Sequence, residues 1–192
     1  MPQIYLASQS PRRRALLDQI ALHYQVLGIQ VHEVVRADES PADYVQRVAL
    51  DKARAGWRHE DRSANRPVLG ADTEVVVDDA VLGKPQGREQ GLAMLRRLSG
   101  RSHRVLSAVA LVEGARERVA LSVSEVTFRR LTEPELCAYW DSGEPADKAG
   151  AYAIQGLGAV FVARLAGSFS GVMGLPLFET ARLLRDFGVD VI

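Results

Sequence analysis

The chain has 192 residues, with 24 Lys or Arg balanced by 24 Asp or Glu, so its net charge is zero. A neutral field gives no nonspecific pull toward nucleic acid or an anionic membrane surface, and any phosphate affinity has to be local. Apolar residues make up 47% of the chain, enough for one folding unit over residues 1–192, and the single Cys137 excludes an internal disulfide and a thiolate metal cluster.

The opening apolar run is too short for a signal peptide or a spanning helix, and no later run reaches bilayer length, so a cytoplasmic protein is expected. Residues 4–7 read as a strand that feeds Ser8-Gln9-Ser10-Pro11-Arg12-Arg13-Arg14. Ser10 suits a helix N-cap and Pro11 the first helical position. The three arginines that follow oppose the helix macrodipole, a local cost that a bound anion would offset. Serine hydroxyls and guanidinium forks around a helix start have the makings of a phosphate cradle, against the plainer reading of a solvated basic patch.

Residues 24–35 are rich enough in Val, Leu and Ile to be a strand region, with Glu33 near the end. Ser40 and Pro41 then open a helix that carries Val45, Val48, Ala49, Lys52 and Gly56 on one face. Lys52 on that stripe either snorkels past the core edge or turns its ammonium into a cleft. After a polar loop at 61–65, residues 67–77 form a buried strand interrupted by Asp72. Asp78-Asp79 reads as a turn into Val81-Leu82, and Gly83-Lys84-Pro85 as a second loop. Leu92, Leu95 and Leu98 mark a helix ended by Ser99-Gly100. Residues 105–112 and 119–128 pair as a hairpin across a charged turn at 113–118. A helix around Cys137, a glycine-rich passage at 148–158, a strand at 160–163, a loop at 167–174 and a helix from Pro176 complete the chain. The alternation gives an α/β class with a mixed sheet and flanking helices, in two lobes around a cleft.

Asp72 is the foremost chemical candidate, because a carboxylate in an apolar strand must be paired, bind a cation or have its pKa raised. Glu33, Lys52 and Lys84 come from separate segments; with Asp72 and the arginine-bearing helix they supply what metal-assisted phosphoryl chemistry needs. Gln155, among Gly150, Gly156 and Gly158, offers an amide that can donate and accept at a base edge. A Walker-type phosphate loop, a dinucleotide fingerprint and a His-Glu-x-x-His zinc motif are all missing from the sequence.

Taken together, Leu6-Ala7-Ser8-Gln9-Ser10-Pro11-Arg12-Arg13, Lys52 within Arg47-Val48-Ala49-Leu50-Asp51-Lys52-Ala53, Gly70-Ala71-Asp72-Thr73, Gly83-Lys84-Pro85, Asp147-Lys148-Ala149-Gly150 with Gln155-Gly156-Leu157-Gly158, and Gly174-Leu175-Pro176 resemble the Maf family over nearly the whole chain. These are the septum-formation-inhibitor-like nucleoside triphosphate pyrophosphatases. The resemblance implies an elongated mixed sheet with a central cleft, similar to that of inosine triphosphate pyrophosphatases. It also implies hydrolysis of a nucleoside triphosphate between its α and β phosphates with a divalent cation, Mg or Mn. The proton acceptor falls on Asp72 and the other active-site charges on Glu33, Lys52 and Lys84, with Asp72 and Glu33 as the cation's ligands. Ser8, Ser10, Arg12, Arg13, Thr73 and Gln155 take the substrate. The expected partner is the nucleotide, without nucleic acid or membrane, and a homodimer is left open.

Arg12, Thr73 and Gln155 resemble the dTTP/UTP branch, whereas the sister branch preferring 7-methyl-GTP has Trp, Gln and Glu there. A 7-methyl-GTP pyrophosphatase and a noncatalytic nucleotide-binding regulator of cell division are the alternatives. One departure is Glu74, where relatives usually carry an apolar residue; strand alternation is expected to turn it away from Asp72 and leave the chemistry unchanged.

Overall fold

The computed structural model describes residues 2–63 and 65–191; Ala64, inside the expected loop at 61–65, lies outside the described residues. Strand β1 (Ile4–Leu6) runs into helix α1 (Pro11–Gln19), with Ser10 at the N-cap and Pro11 at the first helical position as expected. Strand β2 (Tyr24–Val26) follows and pairs with β1 in parallel. The strand expected over 24–35 is corrected here to three residues. β1 is itself three residues long and offers no further partner, so beyond Leu27, whose N–H still bonds Leu6 O, the chain leaves the sheet.

Helix α2 (Pro41–Trp57) begins where expected, the Ser40 side chain accepting from the Asp43 N–H, and it buries Val45, Val48, Ala49, Lys52 and Gly56. It packs on the long strand β3 (Val68–Val77) at very close range: a Cβ added at Gly70 would lie 2.3 Å from the Ala49 carbonyl oxygen and 2.5 Å from the Ala53 nitrogen. Only glycine at that position lets helix backbone approach strand backbone this closely.

β3 outruns its neighbour, and that mismatch makes the cleft. β1 pairs only with Val68 and Leu69, while β4 (Ala80–Leu82), folded back through the Asp78-Asp79 turn, pairs only with residues 75–77. Residues 70–74 have no strand beside them on that edge, although their other edge is fully paired to β5 (Ser102–Glu113). The seven-stranded mixed sheet runs β2-β1-β3-β5, then β6 (Arg116–Phe128) and β7 (Val162–Ala166), with β4 off this path.

The β5–β6 hairpin is longer and its turn tighter than expected. Glu113 pairs with Arg116, leaving Gly114-Ala115 at the tip with Gly114 at φ +61°. The strand expected at 160–163 starts two residues later. Leu157–Phe161 is a 3₁₀ turn whose Phe161 ring packs edge-on against Phe128 and Tyr139, and pairing to β6 begins at Val162. The expected loop at 167–174 contains a short helix, α5 (Phe169–Met173), capped by Ser168 accepting from the Gly171 N–H.

Alternation along β3 divides the core. Leu69 and Ala71 face Leu16 and Leu17 of α1 and Leu183 and Leu184 of α6 (Leu177–Asp186). Further along the same face, Val75 and Val77 meet Leu92, Leu95 and Leu98 of α3 (Arg88–Leu98) and Leu136 of α4 (Glu133–Asp141). Each such buried leucine contributes about 1.5–3 kcal/mol. Between the two clusters stand the polar Thr73 and Ser107, cross-strand partners whose hydroxyls bond each other at 3.0 Å. The opposite face of the sheet, with Val76, Leu106, Ala108 and Ala110, is covered by α2. The expected two lobes are thus two apolar clusters on one continuous sheet.

Candidate active site

A pocket of about 340 Å³ wraps round the open edge of β3, so both faces of that strand line it: Asp72 and Glu74 on the α2 side, Thr73 and Val75 on the other. The N-terminus of α1, the loop at Gly83-Lys84 and the 147–155 passage close it. Within it lie Ser10, Arg12, Arg13, Glu33, Lys52, Asp72, Thr73, Lys84 and Gln155. Of the expected site residues, Ser8 alone does not line this space.

Lys52 does not snorkel. It is 8% exposed, and its Nζ donates to Asp72 Oδ1 at 2.8 Å and lies 2.7 Å from Glu33 Oε1. The coil after β2 is thus tied to the α2 lysine through Glu33. Burial pushes the Glu33 carboxyl up, but the hydrogen bond and charge of Lys52, helped by Lys84 and Arg13, outweigh it and hold Glu33 below the usual carboxylate range. Asp72 is 5% exposed; Lys52 takes one of its oxygens, and Oδ2 is buried without a partner.

The three arginines divide their work. Arg14 is exposed and does not line the pocket. Arg13 is fixed at two points, Nε donating to Gly174 O at 2.9 Å and Nη1 to Ser8 Oγ at 3.1 Å. Ser8 is thus a support behind the pocket: its hydroxyl accepts from Arg13 and from the Ser10 N–H at 3.3 Å. Arg12 reaches across to Asp147, Nη1 to Oδ2 3.5 Å, so α1 and the 147–155 passage meet over the pocket. Ser10 occupies the N-cap, yet its side chain makes no capping bond. Burial pulls the Arg13 pKa down, and Asp72 is the largest charge opposing that.

Ser107 donates to Gly171 O at 2.5 Å, and the single Thr73 proton is shared between Ser107 Oγ at 3.0 Å and Gly174 O at 3.3 Å, the same carbonyl that Arg13 holds. One face of β3 thereby fixes the turn that carries Gly174, and through it Arg13. Gln155 is exposed at the pocket rim. Gly150, at φ +67°, lies where an added Cβ would meet the Val75 side chain at 2.9 Å, and it donates its N–H to Gly83 O at 3.2 Å, tying the Lys84 loop to the glycine-rich passage.

The expectation about Glu74 is overturned. Positions two apart in a strand share a face, so alternation puts Glu74 on the same side as Asp72. Glu74 is 9% exposed, lines the pocket and leaves Oε2 buried without a partner. Burial first, then the charges of Asp72 and Glu33, push its carboxyl up to about 8. Tyr44, Asp147, Lys148 and Tyr152 also line the pocket and were not anticipated. Tyr44 lies eight residues, about two turns, before Lys52 on the buried stripe of α2, a spacing that could have flagged it.

Behind Tyr152 sits His103, 3% exposed, with Nε2 2.8 Å from the Tyr152 hydroxyl and Nδ1 unpartnered. Burial pulls the His103 pKa down to about 4. Between about 4 and 6.5 the unfolded chain binds this proton and the folded chain does not, so stability rises with pH across that window. The neutral ring should stabilise the fold by roughly 3 kcal/mol above the window, an advantage lost on acidification. Melting temperatures of wild type and His103→Gln should therefore converge as pH falls from 7 toward 4; parallel curves would show that His103 does not titrate in this way.

Comparison with known proteins bears on the whole chain. The sequence pattern of the family described as Maf-like protein matches residues 3–187. A dTTP/UTP pyrophosphatase of Alkalilimnicola ehrlichii is 59% identical over 192 residues, covering 98% of this chain and 95% of the relative. Another, from Methylococcus capsulatus, is 59% identical over 187 residues, covering 97% and 92%. Among solved structures, the Ham1 protein of Staphylococcus aureus is similar with a TM-score of 0.44 at 14% identity, covering 65% of this chain and 71% of that one.

Proposed function

The chain belongs to the Maf family, and from that membership we propose that it is a dTTP/UTP pyrophosphatase, converting either nucleotide to its monophosphate and pyrophosphate. The observation that carries the chemistry is Asp72, buried, with one oxygen on Lys52 and the other without a partner, lining the same pocket as Arg12, Arg13 and Lys84. In this reading the Asp72 carboxylate accepts a proton from water as the water oxygen bonds the α phosphorus and the bond to the bridging oxygen of the β phosphate breaks. Lys52 holds the carboxylate in place. Arg12, Arg13 and Lys84 neutralise the triphosphate and the departing pyrophosphate, whose charge grows as that bond breaks.

A divalent cation, Mg or Mn, fits the same residues: Asp72 Oδ2 is an orphaned buried oxygen, and Glu33 stands across Lys52 from it, so these two would hold the ion. Bound there, it would supply Lewis-acid polarisation of phosphoryl oxygens. No helix among the described residues is long and apolar enough to cross a membrane, and the lone cysteine supports a cytoplasmic setting.

Arg12, Thr73 and Gln155 support the pyrimidine reading. Uracil and thymine present carbonyl, N–H and carbonyl along the pairing edge, which the neutral amide of Gln155 matches with both a donor and an acceptor. A 7-methylguanine carries positive charge, which Arg12 repels and a carboxylate would attract. Thr73 is small and bonded to Gly174 O, so a glutamine there would reshape the pocket wall. The expected kcat/KM is higher for UTP than for 7-methyl-GTP. The triple variant Arg12→Trp, Thr73→Gln, Gln155→Glu should shift that ratio by about tenfold or more toward the purine, as one lost and one gained base contact would. A wild type that prefers 7-methyl-GTP, or a ratio that the exchange leaves in place, contradicts this assignment of base reading.

A further inference from the structure

Glu74 and Asp72 are the two acidic residues on the α2 face of the unpaired stretch of β3, roughly 7 Å apart along the strand. Each is at least nine-tenths buried, each lines the pocket, and each presents one carboxylate oxygen with no hydrogen-bond partner. An orphaned carboxylate oxygen ordinarily costs a few kcal/mol, and two like-charged ones on adjacent same-face positions also repel. The neighbouring cation does not relieve this, because Lys52 spends its ammonium on Asp72 Oδ1 and Glu33 Oε1.

We propose that Asp72 Oδ2 and Glu74 Oε2 together form the protein's half of a divalent cation site, so that the pocket takes up the cation before the nucleotide arrives. The inference rests on the reading of Asp72 as a cation ligand and puts Glu74 in the second place given above to Glu33, whose Oε1 is taken by Lys52. Among the described residues no group of three or more acidic, histidine or cysteine side chains is poised for a metal. A two-carboxylate site accords with that: magnesium-type ions are held by one or two carboxylates, with water and phosphate oxygens completing the shell. Once Glu74 gives up its proton to solvent on uptake, two carboxylates match the ion's charge, and each orphaned oxygen gains the partner it lacks.

The test is Mn²⁺ binding to the nucleotide-free protein, followed by loss of the free-ion electron paramagnetic resonance signal, for wild type, Glu74→Gln, Glu74→Val and Asp72→Asn. Wild type is expected to bind Mn²⁺ saturably. Both Glu74 variants and Asp72→Asn should weaken binding by about tenfold or more, since even groups that merely support metal ligands are worth 10–100-fold. Saturable binding lost in Asp72→Asn but unchanged in both Glu74 variants would overturn the role of Glu74 and leave the Asp72 reading standing. Binding unchanged in all three variants would overturn both. Wild type without saturable binding up to millimolar Mn²⁺ would overturn the uptake of cation ahead of nucleotide. Glu74→Val replaces an unpartnered buried carboxyl by an apolar group, so its melting temperature should be no lower than wild type, which separates lost binding from lost fold.

Discussion

Asp72→Asn is expected to lower UTP turnover by about 10²–10⁴-fold, the usual worth of a general base, with loss of a cation ligand adding to it. The amide keeps the volume of the carboxyl, and Lys52 Nζ keeps Glu33 at 2.7 Å, so the buried ammonium retains a charged partner. What disappears is the charge and basicity of a carboxylate that lines the pocket and whose Oδ2 has no protein partner. Cooperative melting near the wild-type temperature together with the collapse in pyrophosphate release is the expected pair of results. Near-wild-type release from a folded variant would sink the assignment of Asp72.

The second large effect is expected at Lys52. Lys52→Met keeps the unbranched stem that packs along α2 and removes the ammonium, leaving Asp72 and Glu33 facing each other uncompensated. The Glu33 carboxyl, now held below its usual range chiefly by Lys52, should rise. Asp72 loses its positioning bond, and a fall in kcat/KM for UTP of about 10²–10³ is expected, comparable to removing one preorganised donor from a charge-stabilising site. Stability should fall as well, since a buried carboxylate loses its partner. The two roles separate when activity is expressed per folded molecule below the melting transition: a wild-type specific activity there would make Lys52 a structural tie only.

Much of this arrangement follows from local pattern, and the misses have physical causes. Asp72 stood out because a charge inside an apolar run must be accounted for, and Lys52 because it sat on the buried stripe of α2; the structure joins the two at 2.8 Å. Ser10 and Pro11 mark the start of α1 by the same local chemistry. The extent of β2 could not be read locally, because strand length depends on how far β1 runs alongside it. The motif puts Ser8 against the substrate, whereas in the fold its hydroxyl supports Arg13, a relation set by the packing of Gly174 from the far end of the chain. The two-residue period of a strand puts Glu74 on the Asp72 face, but its unpartnered burial depends on α2 covering that face, which no local pattern shows. The open edge at 70–74, which makes the pocket, comes from the unequal lengths of β1, β3 and β4, and no local signal carries it.

Cleavage between the α and β phosphates of a pyrimidine triphosphate can be read from the products that the wild-type protein makes. With UTP and Mg²⁺, ³¹P nuclear magnetic resonance should show UMP and pyrophosphate appearing in equal amounts, with dTTP behaving alike. UDP with orthophosphate, or no turnover of either nucleotide, would contradict the account.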